Sequence, residues 1–165
     1  MSKALGFVFP GQGSQYHGML YEYFLNSDIF CAAFEEAKDI SGIDFKSLIQ
    51  DGSADDLSAT EITQPLLLTS NYALWMLCDM NPEDIEVMAG HSLGEYSAYV
   101  AAGSISFEEA LNLVMLRAKY MQEAVKEGEG GIAAILGLTK EELDPICEAI
   151  SCLLYTSDAA DDAHG

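Results

Sequence analysis

Positive charge is what this 165-residue sequence has least of: seven Lys and Arg stand against 27 Asp and Glu, a formal charge of −20. The bases, Lys3, Lys38, Lys46, Arg117, Lys119, Lys126 and Lys140, are scattered along the chain. They cannot build the positive stripe that phosphate neutralisation requires, so nucleic acid is excluded as a partner. Unbroken apolar runs are also missing. Ala4–Tyr21 and Ile62–Cys78 are uncharged but interrupted by Gln, Ser, Gly or Pro, so neither reads as a membrane span. The cysteines, Cys31, Cys78, Cys147 and Cys152, form no Cys-x-x-Cys pair and the histidines do not cluster. No metal, cofactor or disulfide framework is therefore expected, and reduced thiols in a cytoplasmic compartment are. Pro10-Gly11-Gln12-Gly13 cuts the first apolar run before a cleavage site could follow, which argues against an export signal. Disorder is excluded as well, because half of the residues are apolar.

Leu5–Phe9 is apolar without alternation, the pattern of a strand covered on both faces, and Pro10-Gly11 ends it. Ile29, Phe30, Ala33, Phe34, Ala37 and Ile40 recur at helical spacing behind Ser27 and Asp28, predicting a helix that ends near Gly42. Gln50–Thr60 reads as a polar loop. Thr63-Gln64-Pro65 then opens a buried helix to about Met80, with proline suited to its first turn. A second strand is expected at Ile85–Ala89, a helix over Tyr96–Gly103 and a capping box at Ser106–Glu109 opening a helix to about Glu127. Ile132–Leu136 reads as a third strand. Thr139–Glu142 repeats the capping pattern before a last helix through Ile146 and Ile150. Strands alternating with helices imply an α/β fold with a mostly parallel sheet. So few strands would make a poor core alone, which points to an incomplete domain.

Gly90-x-Ser92-x-Gly94, between a strand and a helix, has the pattern of a nucleophile elbow: small flanking residues permit a strained turn that lifts the serine hydroxyl clear. The following helix directs its N-terminal dipole and N–H groups at the reaction centre, with the backbone N–H of Leu93 a natural oxyanion donor. Positions 110, 113, 114, 117, 118 and 121 of the next helix form an expected apolar stripe of Ala110, Leu113, Val114, Arg117, Ala118 and Met121. A guanidinium there needs either an internal carboxylate or a bound anion, and the spacing does not choose between them. Gly11-Gln12-Gly13-Ser14 follows the first strand, where ligands collect in open α/β sheets. It has neither the Gly-Lys-Ser/Thr of a P-loop nor the third glycine of a dinucleotide fingerprint. His91 adjoins the serine, where its side chain leaves the turn in another direction; it reads as a packing or hydrogen-bonding residue at the substrate site.

Together, Phe9-Pro10-Gly11-Gln12-Gly13-Ser14-Gln15, Thr63-Gln64-Pro65, Gly90-His91-Ser92-Leu93-Gly94-Glu95-Tyr96-Ser97-Ala98 and Arg117-x-Lys119-Tyr120-Met121-Gln122 resemble the malonyl-CoA:acyl carrier protein transacylases of fatty acid synthesis. The resemblance runs from about Leu5 to about Ile150, and the acyltransferase domains of polyketide synthases share most of these motifs. It implies ping-pong transfer of malonyl from malonyl-CoA to an acyl carrier protein thiol. Ser92 would be the nucleophile, Gln12 and Leu93 the backbone oxyanion donors, Arg117 the clamp on malonyl's free carboxylate, and Gln64 and His91 would border the substrate. It also implies a truncated three-layer α/β-hydrolase-like core over 1–130 and the start of a ferredoxin-like subdomain over 131–151. The family's catalytic histidine and a further glutamine would lie beyond this sequence, so the chain as written is expected to be inactive or nearly so. Cys152–Asp162 resembles the conceptual translation of a sequencing adapter, and 152–165 is expected to be non-native. A patatin-like serine hydrolase and a non-catalytic fragment that binds carrier protein or coenzyme A are the other readings. The only Asp-Gly, Asp51-Gly52, precedes the serine, against the patatin order.

Overall fold

In the computed structural model, residues 5–124 and 137–149 are described. The chain divides into two units, Met1–Glu127 and Gly128–Gly165. In the first, β1 (Gly6–Phe9) leads to α1 (Tyr21–Asn26), α2 (Asp28–Ser41), α3 (Phe45–Asp51), α4 (Ala54–Ser58) and α5 (Thr60–Cys78). A 3-10 turn at Pro82–Asp84 precedes β2 (Val87–Gly90), α6 (Gly94–Ala101) and α7 (Phe107–Ala124). The described part of the second unit holds α8 (Lys140–Ala149), whose entry has the expected cap: Thr139 N–H donates to the Glu142 carboxylate at 2.9 Å. The expected strand at Ile132–Leu136, the residues from Ile150 on and hence the suspect tail lie outside the described residues.

The helical layer is built around α5, which packs against α2, α6 and α7. With neighbours on several sides it is buried continuously from Thr63 to Asn71 instead of along one stripe. Its polar side chains are satisfied where they lie: Thr69 and Ser70 hydroxyls donate to the carbonyls of Pro65 and Leu66, each at 2.8 Å. Phe30, Phe34, Leu66, Leu68, Leu111 and Val114 fill the space between α2, α5 and α7. Each such side chain contributes about 1.5–3 kcal/mol of burial. The α2 limits follow its sequence signals, with Ser27 Oγ accepting from Phe30 N–H at 3.1 Å and Gly42 closing the helix at φ 73°.

The sheet among the described residues is a parallel pair, β1 beside β2, in register from Gly6 opposite Val87 to Phe9 opposite Gly90. The fold is thus mixed α/β and mostly helical around a small parallel sheet. One expectation fails here. Val8 is 80 % exposed and Val87 59 %, so the strands are not covered on both faces. Phe9, Ala98 and Ala101 cluster on the other side with Phe7, Trp75 and Met88, where α5 and α6 supply a layer.

The expected loop at 50–60 is also corrected. It contains the end of α3, all of α4 and the first residue of α5. Asp44 caps α3 through Ser47 N–H at 3.0 Å, and Ser53 with Asp56 makes a capping box for α4. Consequently α5 starts before the Thr63-Gln64-Pro65 motif. Thr63 is no cap; its hydroxyl lies within hydrogen-bond reach of the Leu57 and Ala59 carbonyls at 2.5 and 3.0 Å.

Candidate active site

The ends of β1 and β2 stand side by side at the Phe9–Gly90 pair, so the segments leaving them, Pro10–Gln15 and His91–Gly94, meet. The ladder extends one step further through His91 N–H to Phe9 C=O at 3.1 Å, and Gly94 N–H then turns back onto His91 C=O at 2.8 Å. This turn holds Ser92 at φ 51°, a left-handed conformation unfavourable for a residue with a Cβ. The flanking glycines are required by space. A Cβ on Gly90 would overlap the Gly94 backbone, and one on Gly94 would overlap the Phe9 carbonyl. Ser92 is thereby presented at the surface, while Leu93 beneath it is fully buried and anchors the start of α6. The first N–H groups of α6, those of Gly94, Glu95 and Tyr96, donate to the carbonyls of His91, Ser92 and Leu93 at 2.8, 3.2 and 3.1 Å, and the turn lies at the positive end of the helix dipole. Asn71 of α5 fixes this arrangement by donating to Ser97 Oγ of α6 at 3.0 Å and to Pro10 C=O at 3.3 Å.

Arg117 comes from α7 and reaches the same point. Its Nη2 donates to Ser92 Oγ at 3.0 Å, and its Nη1 donates to Gln64 Oε1. The Tyr96 ring lies beside the guanidinium, 6.0 Å from its carbon to the ring centroid. Gln64 is fully buried, and its amide hydrogens go to Thr60 Oγ1 at 2.8 Å and Met121 Sδ at 3.4 Å. Thr60 Oγ1 in turn donates to Gln12 Oε1 at 3.0 Å. The structure thus brings Ser92, Arg117, Gln64 and Gln12 into one connected network. His91 is placed across from the Gly11 backbone, with its ring turned toward that loop.

The surroundings of Arg117 differ from the expected stripe. Leu113 and Met121 are exposed and Arg117 is half-buried, because α7 turns Phe107, Ala110, Leu111, Val114 and Ala118 into the core. The arginine stands at the border of that face. Among the described residues no carboxylate pairs with it, and its nearest polar companions are a neutral amide and a hydroxyl. Its hydrogen bonds to described residues use two of its five donors, so a guanidinium so placed can still receive an incoming anion. Thr60, Tyr96 and Met121 are members of the cluster that sequence reasoning gave no role. Thr60 stands one turn before Gln64, a spacing readable only once the helix is known to begin there.

The acyl transferase domain model matches residues 6–153. The chain belongs to the acyl transferase domain family. Within that family it is 50% identical over 143 residues to the malonyl CoA-acyl carrier protein transacylase of Salmonella typhimurium, covering 86% of this chain and 46% of the relative. The structure of the malonyl CoA-acyl carrier protein transacylase of Coxiella burnetii superposes with a TM-score of 0.80 at 46% identity, over 89% of this chain and 47% of that one. A chain from the structure of a type II polyketide acyl-carrier protein in complex with its malonyl-transacylase gives a TM-score of 0.81 at 43% identity, over 90% of this chain and 48% of that one. This acyl transferase chain spans about half the length of the curated relatives it matches. No helix among its described residues is long and apolar enough to cross a membrane.

Proposed function

We propose that this chain carries the acyl-enzyme half of a malonyl-CoA:acyl carrier protein transacylase of fatty acid synthesis, acting in the cytoplasm. Ser92 Oγ attacks the thioester carbonyl of malonyl-CoA, the C–S bond breaks, and coenzyme A leaves as the thiol carrying the proton that Ser92 loses. The malonyl ester on Ser92 is then attacked by a carrier-protein thiol, which restores the serine hydroxyl. Both steps exchange one ester or thioester for another, so no oxidant, reductant or cofactor is needed. The backbone N–H groups of Gln12 and Leu93 would receive the developing oxyanion, an interaction of the kind whose loss lowers turnover by ~10²–10³. Arg117 would hold the free carboxylate of malonyl, assisted by Gln64, with His91 at the border of the site.

The observation that carries this reading is the guanidinium of Arg117, without a carboxylate partner among the described residues, hydrogen-bonded to the hydroxyl of the strained Ser92. Malonyl bound there would displace that hydrogen bond and present its carboxylate to the same cation. An acetyl group would displace it and leave the charge unpaired, so the site discriminates by charge. The names of the relatives point to the same substrates. The polyketide carrier seen with one neighbour makes transfer to such a carrier the second reading.

The same reading takes residues 1–130 as part of a three-layer α/β-hydrolase-like core, 131–151 as the opening of a ferredoxin-like subdomain, and 152–165 as non-native. It also leaves the general base outside this sequence, so acylation by the chain alone is expected to be slow. The test is intact-mass and peptide-mass analysis after incubation with malonyl-CoA or acetyl-CoA. A malonyl adduct on Ser92, absent in Ser92→Ala and without malonyl preference in Arg117→Ala, is the expected result. Equal labelling by acetyl-CoA in the unmutated chain would remove the clamp.

A further inference from the structure

Thr60, the first residue of α5, has no part in the chemistry above, yet its hydroxyl joins the two halves of the site. It accepts from Gln64 Nε2 at 2.8 Å and donates to Gln12 Oε1 at 3.0 Å. The direction of these bonds is dictated from the far end. A guanidinium can only donate, so the Gln64 atom that faces Arg117 must be the carbonyl oxygen. The amide nitrogen then faces Thr60, whose oxygen must accept, leaving its single proton for Gln12 Oε1. Arg117, Gln64, Thr60 and Gln12 therefore form one polarised chain.

The geometry points to Thr60 as a positioning residue that locks the Gln64 amide toward the arginine and ties the Gly11–Gln15 loop to the start of α5. This rests on the proposed acyl-transfer reading for its consequence. Gln64 is fully buried with both amide hydrogens engaged, so losing its threonine acceptor leaves a polar hydrogen without a partner and a rotation open to it. Gln12 is exposed, and the Thr60 hydroxyl anchors its side chain in the network that reaches Arg117. One hydroxyl therefore sets both the carboxylate clamp and the loop whose backbone N–H would meet the oxyanion.

Thr60→Val keeps the branched shape and removes the hydroxyl; Thr60→Ser keeps the hydroxyl. In the ¹⁵N-labelled 165-residue chain, Thr60→Val is expected to shift the Gln12 backbone amide, the Arg117 Nε–H and the Gln64 side-chain amide signals, while Thr60→Ser leaves them close to the parent. The malonyl-over-acetyl labelling ratio at Ser92 should fall about three- to tenfold in Thr60→Val, the equivalent of one net hydrogen bond, and return in Thr60→Ser. Unmoved Gln12 and Arg117 signals in Thr60→Val would overturn the assignment, as would an equal loss of malonyl and acetyl labelling, which is the signature of general damage. Should the parent chain label equally with malonyl and acetyl, the clamp reading fails while the spectra still decide the role of Thr60.

Discussion

The helical layer and the sheet of the first unit are closed to very different degrees. Around α5 the core-facing side chains of α2, α3 and α7 are sealed, with Phe30, Ile49, Leu66, Leu68 and Leu111 wholly inaccessible. Across the sheet only one face is covered, and Val8 and Val87 point away from it. The candidate site lies where the two meet, because Ser92 is carried by the end of a strand while Arg117, Gln64 and Thr60 come from helices. A strained nucleophile is thus presented by the thinner region and surrounded by groups from the stiffer one. Phe30→Ala should destabilise by about 3–5 kcal/mol and Val8→Ala by no more than about 0.5, read as the shift in denaturant midpoint at constant slope. A comparable loss at Val8 would break the contrast, showing that its face is covered in solution.

The next effect sits on the boundary. Gly94→Ala pushes a methyl into the Phe9 carbonyl, and backbone cannot step aside as a side-chain tip can. Overpacking of this kind destabilises by about 1–3 kcal/mol. Since the same contact fixes the turn at Ser92, acylation should fall by more than the stability loss accounts for, measured well below the unfolding midpoint. Unchanged acylation in a destabilised Gly94→Ala protein would mean that the elbow tolerates its strand moving.

How much of this was legible in the sequence depended on whether the signal was local. The limits of α2 follow from Ser27 and Gly42, residues that do their capping where they stand. The elbow follows in part from Gly90, whose missing Cβ is demanded by the Gly94 backbone four residues on, whereas the demand on Gly94 comes from Phe9 of the neighbouring strand; the Ser106–Glu109 box is present as written, Ser106 N–H reaching the Glu109 carboxylate at 2.9 Å. Helices α3 and α4 were not legible, because helices this short present too few apolar positions to show a period. Their caps, Asp44 and Ser53, resemble ordinary loop residues. The exposure of Val8 was hidden for another reason: an apolar strand does not state which of its faces has a neighbour. Arg117 falls between these cases. Its helix was clear, but the phase of the buried face was set by α5, so the companion it meets proved to be the amide of Gln64 and no carboxylate among the described residues.

Within the helical layer, a cap offers a smaller perturbation that leaves both core and site intact. Ser27→Ala removes the acceptor for Phe30 N–H and should destabilise by about 1 kcal/mol, while Ser27→Asp preserves most of the stability. Thermal unfolding of the two variants decides it. An equal loss in both would mean that Ser27 acts through packing against Phe30 instead of through its oxygen.

The smallest expected effect concerns pH. Asp44 lies between α2 and α3, where the hydrogen bond from Lys38 Nζ at 2.7 Å, and next the Ser47 N–H, hold its carboxyl below the usual carboxylate range. Because the folded state binds that proton less readily than the unfolded chain, the contribution is present above the unfolded carboxylate's pKa and is lost as pH falls through the folded one. Lys38 is shifted the other way, raised chiefly by its hydrogen bond to Asp44, so its share is full below the ordinary lysine range and disappears as pH rises through the folded value. Both groups are solvent-exposed, so screening keeps the effect below that of the cap. Asp44→Asn should therefore lower the melting temperature at neutral pH and match the parent in strong acid, where the aspartate is already protonated. A deficit that persists undiminished in acid would assign the role of Asp44 to its shape as the cap of α3 and leave its charge without effect.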